Sequence, residues 1–277
     1  MSLRRSRRAP PPEVKPHAQG FNNVLLDSDR VLRRHLLAVS AASPCENKFA
    51  FNLQLALRYL EHEGILIQAT PDDYLQLGSV VFKAIEPNTS AYHHLNADGH
   101  QVMLNYRDTR QVAETASLQA VLRNDFDTSI LRNRIVLIGT TDQSFGDTNW
   151  HTPYSTNQET IQTIAGVEVQ AHMVSQILSA VLDQRPLIRW LPTSLEVLWI
   201  TAWAIAGGLL AYSLRSLPRW LLASGIVVML LYGSCLIVLT AAGGWLPLVP
   251  SAIAFLTSGS TVMILPQLKP TWSGELE

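Results

Sequence analysis

Cysteine is nearly absent. The 277 residues hold two, Cys45 and Cys235. Cys235 lies inside a long apolar run, so the two cannot form a disulfide framework or a paired thiolate metal site. Net charge is nearly absent as well, at -1, which excludes a nucleic-acid binder working through its overall electrostatic field. No phosphate loop is present. Residues 139–146 follow a strand-like run, but they lack a Gly-Lys-Ser/Thr ending and their glycines are wrongly spaced. The first residues carry Arg4, Arg5, Arg7 and Arg8 and then a proline-rich stretch, with no apolar core behind them. They do not read as a secretory or twin-arginine signal, and residues 1–16 are expected to form a disordered tail. The last scarcity is of charge: between residues 191 and 266 only Glu196, Arg215 and Arg219 are ionisable by ordinary carboxylate or guanidinium chemistry.

That charge-poor third holds three apolar runs, at about 194–214, 220–239 and 246–265. Each approaches the roughly 20 residues that a helix needs to cross a hydrocarbon core. In lipid the backbone must satisfy its own polar groups, so helices are expected. Trp190, Trp199, Trp203, Trp220 and Trp245 sit mostly near run ends, where indoles favour the headgroup layer. Gly207-Gly208 reads as close helix packing and Gly243-Gly244 as a turn. Arg215 and Arg219 flank the first turn and the second turn is uncharged. The excess of positive charge then places the first turn and the chain end in the cytoplasm, with the polar part outside it.

The polar part holds 19 of the 22 acidic residues, so it is an ordinary globular surface rather than a linker. Short extended runs are predicted at 21–26, 31–38, 80–85 and 101–106, with a turn at Asp27-Ser28-Asp29 and another at Asp98-Gly99. The spacing of Phe49, Leu53, Ala56, Leu57 and Leu60 predicts a helix over 48–62, closed by Gly64. A short helix is expected at 118–122. Residues 134–139 (RIVLIG) read as a strand buried on both faces. The stripe Val167, Ala171, Val174, Leu178 and Val181 predicts a helix over 166–182. Strand, loop and helix in this order predict a partial α/β domain with a mixed or mostly parallel sheet, followed by an α-helical hairpin-and-a-half of three spans. The expected division is 1–16, 17–190, 191–268 and 269–277.

Five pieces in order carry a resemblance. They are Gly20-Phe-Asn-Asn23 leading to Asp27, Asp29 and the Arg33-Arg34 pair; Leu104-Asn-Tyr-Arg107; Asn133 to Gly139; Asp147 followed by His151-Thr-Pro153; and Ile164-Ala-Gly-Val leading to Ala171. Together with the triple span, this succession resembles CHASE2, an extracytoplasmic sensor domain of bacterial signalling proteins. The resemblance implies a sensor in the bacterial inner membrane, with a leading membrane helix and first strands ahead of these pieces and a kinase or cyclase behind them. This chain opens near the middle of that pattern, so a sensor lacking its leading helix and its output domain is expected. Arg30 stands where the family usually has glycine, which strains the turn if it needs a positive φ.

The polar residues at strand ends are the candidates for ligand contact: Asp142, Asp147 and His151 on the loop after 134–139, and Asn105 and Arg107 at the end of the run 101–106. Ligands of α/β sheets gather at that edge. Structural duty for the same loop is the competing reading, with Asp147 accepting backbone hydrogen bonds. His93, His94 and His100 read as loop histidines. No cofactor, catalytic residue or metal site is expected. Three readings stand: a membrane-anchored sensor that binds a small ligand and relays to a separate kinase or cyclase, a non-signalling remnant or assembly protein, and a metal-dependent membrane hydrolase built on Asp142, Asp147 and His151. The expected partners are the lipid bilayer, a small ligand, the output protein and a second copy of the chain, with no nucleic acid.

Overall fold

A computed structural model describes residues 13–15, 18–40, 42–43, 45–107, 112–142, 144, 147, 149–155 and 163–264. The expected tail at 1–16 lies almost wholly outside them, as does 269–277. The chain divides into two compact units. The first comprises Met1–Glu86 and Asn96–Leu187, and the second Pro87–Leu95 and Ile188–Glu277.

In the first unit, β1 (Arg34–Ala38) pairs antiparallel with β5 (His100–Met103), with Arg34 opposite Met103 and an irregularity between Leu36 and Ala38. Gly99 turns into β5 at φ 78°. A side chain there would strike the Ala38 carbonyl, so both the conformation and the space require glycine. Three further strands, β2 (Ile67–Ala69), β3 (Leu75–Leu77) and β4 (Val80–Phe82), form an antiparallel meander. The sequence reading had only the last of these. The strands in this unit are thus short and pair antiparallel among the described residues, where a mixed or mostly parallel sheet was expected. Among the described residues of this unit parallel pairing takes the form of isolated bridges, Phe21 with Ala50 and Val31 with His151.

Helix α1 (Phe51–His62) starts three residues later than expected, because Phe49 and Ala50 are drawn into bridges with Ala38 and Phe21. Gly64 follows it at φ 75° and returns its N–H to Glu61. Helix α2 (Leu118–Leu122) forms where expected, with Ser117 as its cap, yet buries no residue. Helix α3 (Gly166–Leu182) matches the predicted span and packs against α1. Leu37, Leu53, Leu60, Phe82, Val102 and Ile177 meet in one buried cluster; Leu32, Leu104, Tyr106, Val169 and Met173 form another.

The strand expected over residues 134–139 does not form. The segment is extended but pairs with no strand among the described residues. Its side chains alternate: Ile135 and Leu137 are half-buried, while Val136 is 53 % and Ile138 96 % exposed. A run of apolar residues resembles a strand covered on both sides, but here only one side is covered. Gly139 explains the close approach on that side, since a Cβ there would press into Val167 of α3.

The turn before β1 is held by charge. Arg30 has φ 65°, the strained conformation the sequence suggested. Asp27 accepts from Arg34 Nε at 2.7 Å and from Arg33 at 3.0 Å, and Arg34 also donates to Gln101 Oε1 at 2.8 Å and to the Leu26 carbonyl at 2.9 Å. Arg34 and Gln101 are both buried. A buried guanidinium survives because its donors find partners; removing one charge of such a pair leaves the other uncompensated.

The second unit contains β6 (Arg189–Trp190), α4 (Thr193–Leu214), α5 (Leu217–Ala242), β7 (Gly244–Trp245) and α6 (Leu248–Ile264). All three apolar runs are helical. Two of the helices, α4 and α5, are long and apolar enough to cross a membrane, and α6 is a shorter apolar helix of 17 residues. The first turn is tighter than expected: Arg215 is left-handed at φ 47°, and α5 already begins at Leu217 with Pro218 in its first turn, where proline costs no hydrogen bond. Gly243 closes α5 at φ 66°, and β7 lies parallel to β6. Helices α4 and α6 approach through small residues. A Cβ on Gly207 would run into the backbone of Phe255, and one on Gly259 would meet the Trp220 indole and the Gly207 carbonyl. Such close contact is how apolar helices associate without a hydrophobic driving force.

Replacing Asp27 with alanine strands the Arg34 charge. The expected loss is about 3–5 kcal/mol of stability in the first unit. It would be read as a lower urea midpoint for protease cleavage of that unit in the full chain. A midpoint unchanged from the parent would show that the pair contributes nothing net.

Candidate functional site

The five sequence candidates fall in two places, set by the two ends of α3. At its first turn the Gly166 N–H donates to the Asp147 carbonyl at 2.7 Å, and a Cβ on Gly166 would collide with the Asp147 carboxylate. Glu168 reaches back to the Ala165 N–H at 3.1 Å, half of a capping box, since Ala165 has no side chain to return the bond. The Asp147 carboxylate also takes the Trp150 indole N–H at 2.7 Å. A carboxylate near unpaired helix N–H groups is well placed electrostatically. Asp142 bonds the Ser144 backbone N–H at 2.8 Å, and its carboxyl lies below the usual range because Ser144 donates to it through both hydroxyl and backbone. His151 serves through its backbone, whose carbonyl accepts from Leu32 N–H at 2.8 Å.

Beside this end lies a cleft of about 170 Å³, lined by Leu137, Ile138, Gly139, Asp147, Trp150 and Gly166 among others. Small-molecule sites usually measure about 300–1,000 Å³, so this one is small. Among the described residues, no group of three His, Cys, Asp or Glu side chains gathers as a metal site.

Asn105 and Arg107 sit elsewhere. Asn105 is bonded to Gln176, ten residues along α3 from Gly166, or about 15 Å at the helical rise. Residues 104–107 extend beyond β5, and one edge still follows β1 through Leu104 N–H to Arg33 O at 2.8 Å. On the other edge no strand pairs with it among the described residues. Its polar groups are met by side chains from α3 and the segment after it. Gln176 donates to the Met103 carbonyl at 2.9 Å and accepts the Asn105 N–H at 3.2 Å. His172 Nδ1 accepts the Arg107 N–H at 3.4 Å. Arg185 donates to the Asn105 carbonyl at 3.2 Å, to Asn105 Oδ1 at 3.0 Å and to the Tyr106 carbonyl at 2.7 Å. Asn105 Nδ2 in turn donates to the Pro186 carbonyl at 3.0 Å. The unmet backbone groups of an edge are costly when buried, and here α3 takes the place of a neighbouring strand.

Tyr106 anchors the same spot. Its hydroxyl donates to the Leu32 carbonyl at 2.9 Å, and its ring stands edge-on to His172 at 5.0 Å and to Tyr154 at 6.2 Å. Tyr154, the residue after the His151-Thr-Pro153 piece that the sequence singled out, therefore meets Tyr106, while Asp142 and Asp147 are bonded elsewhere. The sequence reading missed His172, Gln176 and Arg185. The signal was present: His172 and Gln176, polar and four apart, lie on the buried face shared by Val169 and Met173.

The CHASE2 domain family matches residues 2–209, three-quarters of the chain. The chain belongs to the CHASE2 family. No curated protein and no solved structure matches it. CHASE2 is an extracytoplasmic sensor domain, and the arrangement around Asn105 is a feature of that domain in this chain.

Two buried histidines give this CHASE2 domain a pH dependence. Asn52 donates from its amide to Gln170 at 2.8 Å and to the Met173 sulfur at 3.2 Å. Its Oδ1 is therefore the acceptor of the 2.6 Å bond to His35 Nε2. That leaves His35 Nδ1 bare, with no partner among the described residues and nothing to receive a proton. Burial lowers His35 from 6.5 to about 4. Burial, and then the Arg185 and Arg107 charges, lower His172 to about 4 as well. Both folded values lie below the unfolded one, so the unfolded chain binds more protons as pH falls from 6.5 to about 4, and stability is lost across that window. For His35 the slope reaches about 1.4 kcal/mol per pH unit. Denaturation midpoints between pH 7.5 and 4 are expected to fall, and the His35→Gln variant to fall less steeply. A profile flat to pH 4.5 would contradict the buried neutral histidines.

Proposed function

We propose that this chain is a membrane-anchored CHASE2 sensor. In this reading α4, α5 and α6 cross the bilayer as three spans, with the first unit outside the cytoplasm and the chain end inside. The first unit binds a small ligand, Asn105 and Arg107 forming the contact region, while Asp142, Asp147 and His151 hold the separate loop that follows residues 134–139. Binding is relayed through the membrane helices to a separate kinase or cyclase.

One observation carries the reading. Arg185 and Pro186, bonded to Asn105 and Tyr106, lie in the short stretch of chain between α3 and Thr193, where α4 begins. A ligand that draws Arg107 or Arg185 away from its present partners acts directly on the segment that continues into the first span. Coupling needs two arrangements with different ligand contacts, and a three-bond clamp that can open supplies them.

The assembly reading has its own observation, the exposed apolar segment with Val136 and Ile138. The two readings differ in what the membrane helices do. Spin labels at Leu198→Cys in α4 and Ile253→Cys in α6, on a background without Cys45 and Cys235, report the distance between these helices in lipid bilayers. Arg185→Ala is expected to shift that distance by about 1–2 Å, the scale of interface helix motions. An unchanged distance in a variant that still folds would favour a chain that assembles but does not signal.

A further inference from the structure

Arg185 and Arg107 form a basic pair whose charge the described residues balance only weakly. Three of the five N–H groups of Arg185 are spent on neutral acceptors, the Asn105 carbonyl, Asn105 Oδ1 and the Tyr106 carbonyl. Among the described residues no carboxylate pairs with it. The partial burial of Arg185 and the neighbouring Arg107 charge both disfavour its protonated form. Among the described residues Arg107 pairs with Asp183 alone, at 3.7 Å and with both side chains exposed, a pair of little energetic weight. His172 lies buried beside them, neutral near pH 7, and its Nδ1 is occupied by the Arg107 N–H, so it offers no counter-charge. Two guanidinium groups thus face one loosely held carboxylate. The Arg34 site in the same unit shows the contrast: there the fold provides Asp27 in direct contact.

We propose that Arg107 and Arg185 receive a small oxyanion, a carboxylate or phosphate group. This inference rests on the sensor reading and names the ligand class of its contact region. The planar guanidinium fork matches two oxygens of either group. Arg185 keeps Nε–H and one terminal N–H unassigned by the bonds above, and Arg107 lies at the adjacent strand end with an exposed side chain. An arriving anion replaces the weak hold of Asp183 and relieves the repulsion between the two arginines. The exposed Tyr154 ring, edge-on to Tyr106, bounds the site on the side of the Thr-Pro loop.

The test is calorimetric titration of the full chain in nanodiscs with inorganic phosphate and, separately, succinate, at constant ionic strength held with potassium chloride. Saturable binding of at least one anion is expected, weakened at least about tenfold by Arg107→Gln. Arg107 holds the fold through its backbone N–H, so that variant keeps its structure. Arg58→Gln, an exposed arginine on α1, should bind as the parent does. Phosphate binding equal in zwitterionic and anionic discs identifies a free anion as the occupant. Phosphate binding lost only in anionic discs identifies a lipid headgroup carrying the same oxyanion; both outcomes support the site. No saturable binding in zwitterionic discs, or equal binding by parent and Arg107→Gln, overturns it. If no anion binds while Arg185→Ala still moves the helices, the ligand class fails and the relay stands. If the anion binds and the helices stay still, the site stands and the relay fails.

Discussion

The free edge of the strand end at residues 103–107 must satisfy its backbone without a neighbouring strand. Gln176, His172 and Arg185 do this work with side chains. A strand ladder ties two backbones and is indifferent to most side-chain chemistry. A ladder made of one amide, one imidazole and one guanidinium depends on the chemistry of each side chain, and at His172 on its protonation. Net hydrogen bonds contribute about 1 kcal/mol each, but an abandoned buried group costs more than a formed one gains. The edge therefore stays closed until something offers its side chains better partners, and that property suits a sensor.

The two units rest on different physics. The first relies on buried polar contacts inside modest apolar clusters: Arg34 with Asp27 and Gln101, and His35 with Asn52. The second has almost no charge to place. Its helices meet at Gly207 and Gly259, and hydroxyls such as Ser251 Oγ, Thr257 Oγ1 and Thr261 Oγ1 return to carbonyls on their own helix. Changes of pH and charge thus act on the first unit, and changes of packing volume on the second.

What the sequence disclosed follows from how local each cue is. Helix α3 was legible from its apolar stripe, the three apolar helices from the length of their runs, and the Asp27 turn from charges a few residues apart; even the strain at Arg30 could be anticipated. Residues 134–139 misled because an apolar run does not say whether anything covers its second face, and Ile138 is left 96 % exposed. Strands β2 and β3 escaped because three residues are too few to show a period; only the turns with positive φ at Asp73 and Gly78 mark them. At the site, Asn105 and Arg107 were found from their place at a strand end. Their partners were not, since the pairing of Asn105 with Arg185 spans eighty residues and no short-range pattern announces it.

Amide hydrogen exchange at Asn105 and Arg107 tests the central claim most directly, because each N–H is bonded only to a side chain of α3. The account requires both amides to be protected like core positions in the parent chain, and Arg185→Ala to speed their exchange together with that of residues 187–190. Exchange at solvent rates in the parent, or a loss of protection that stops at residue 107, would contradict a clamp joining the strand end to the segment that enters the first apolar helix.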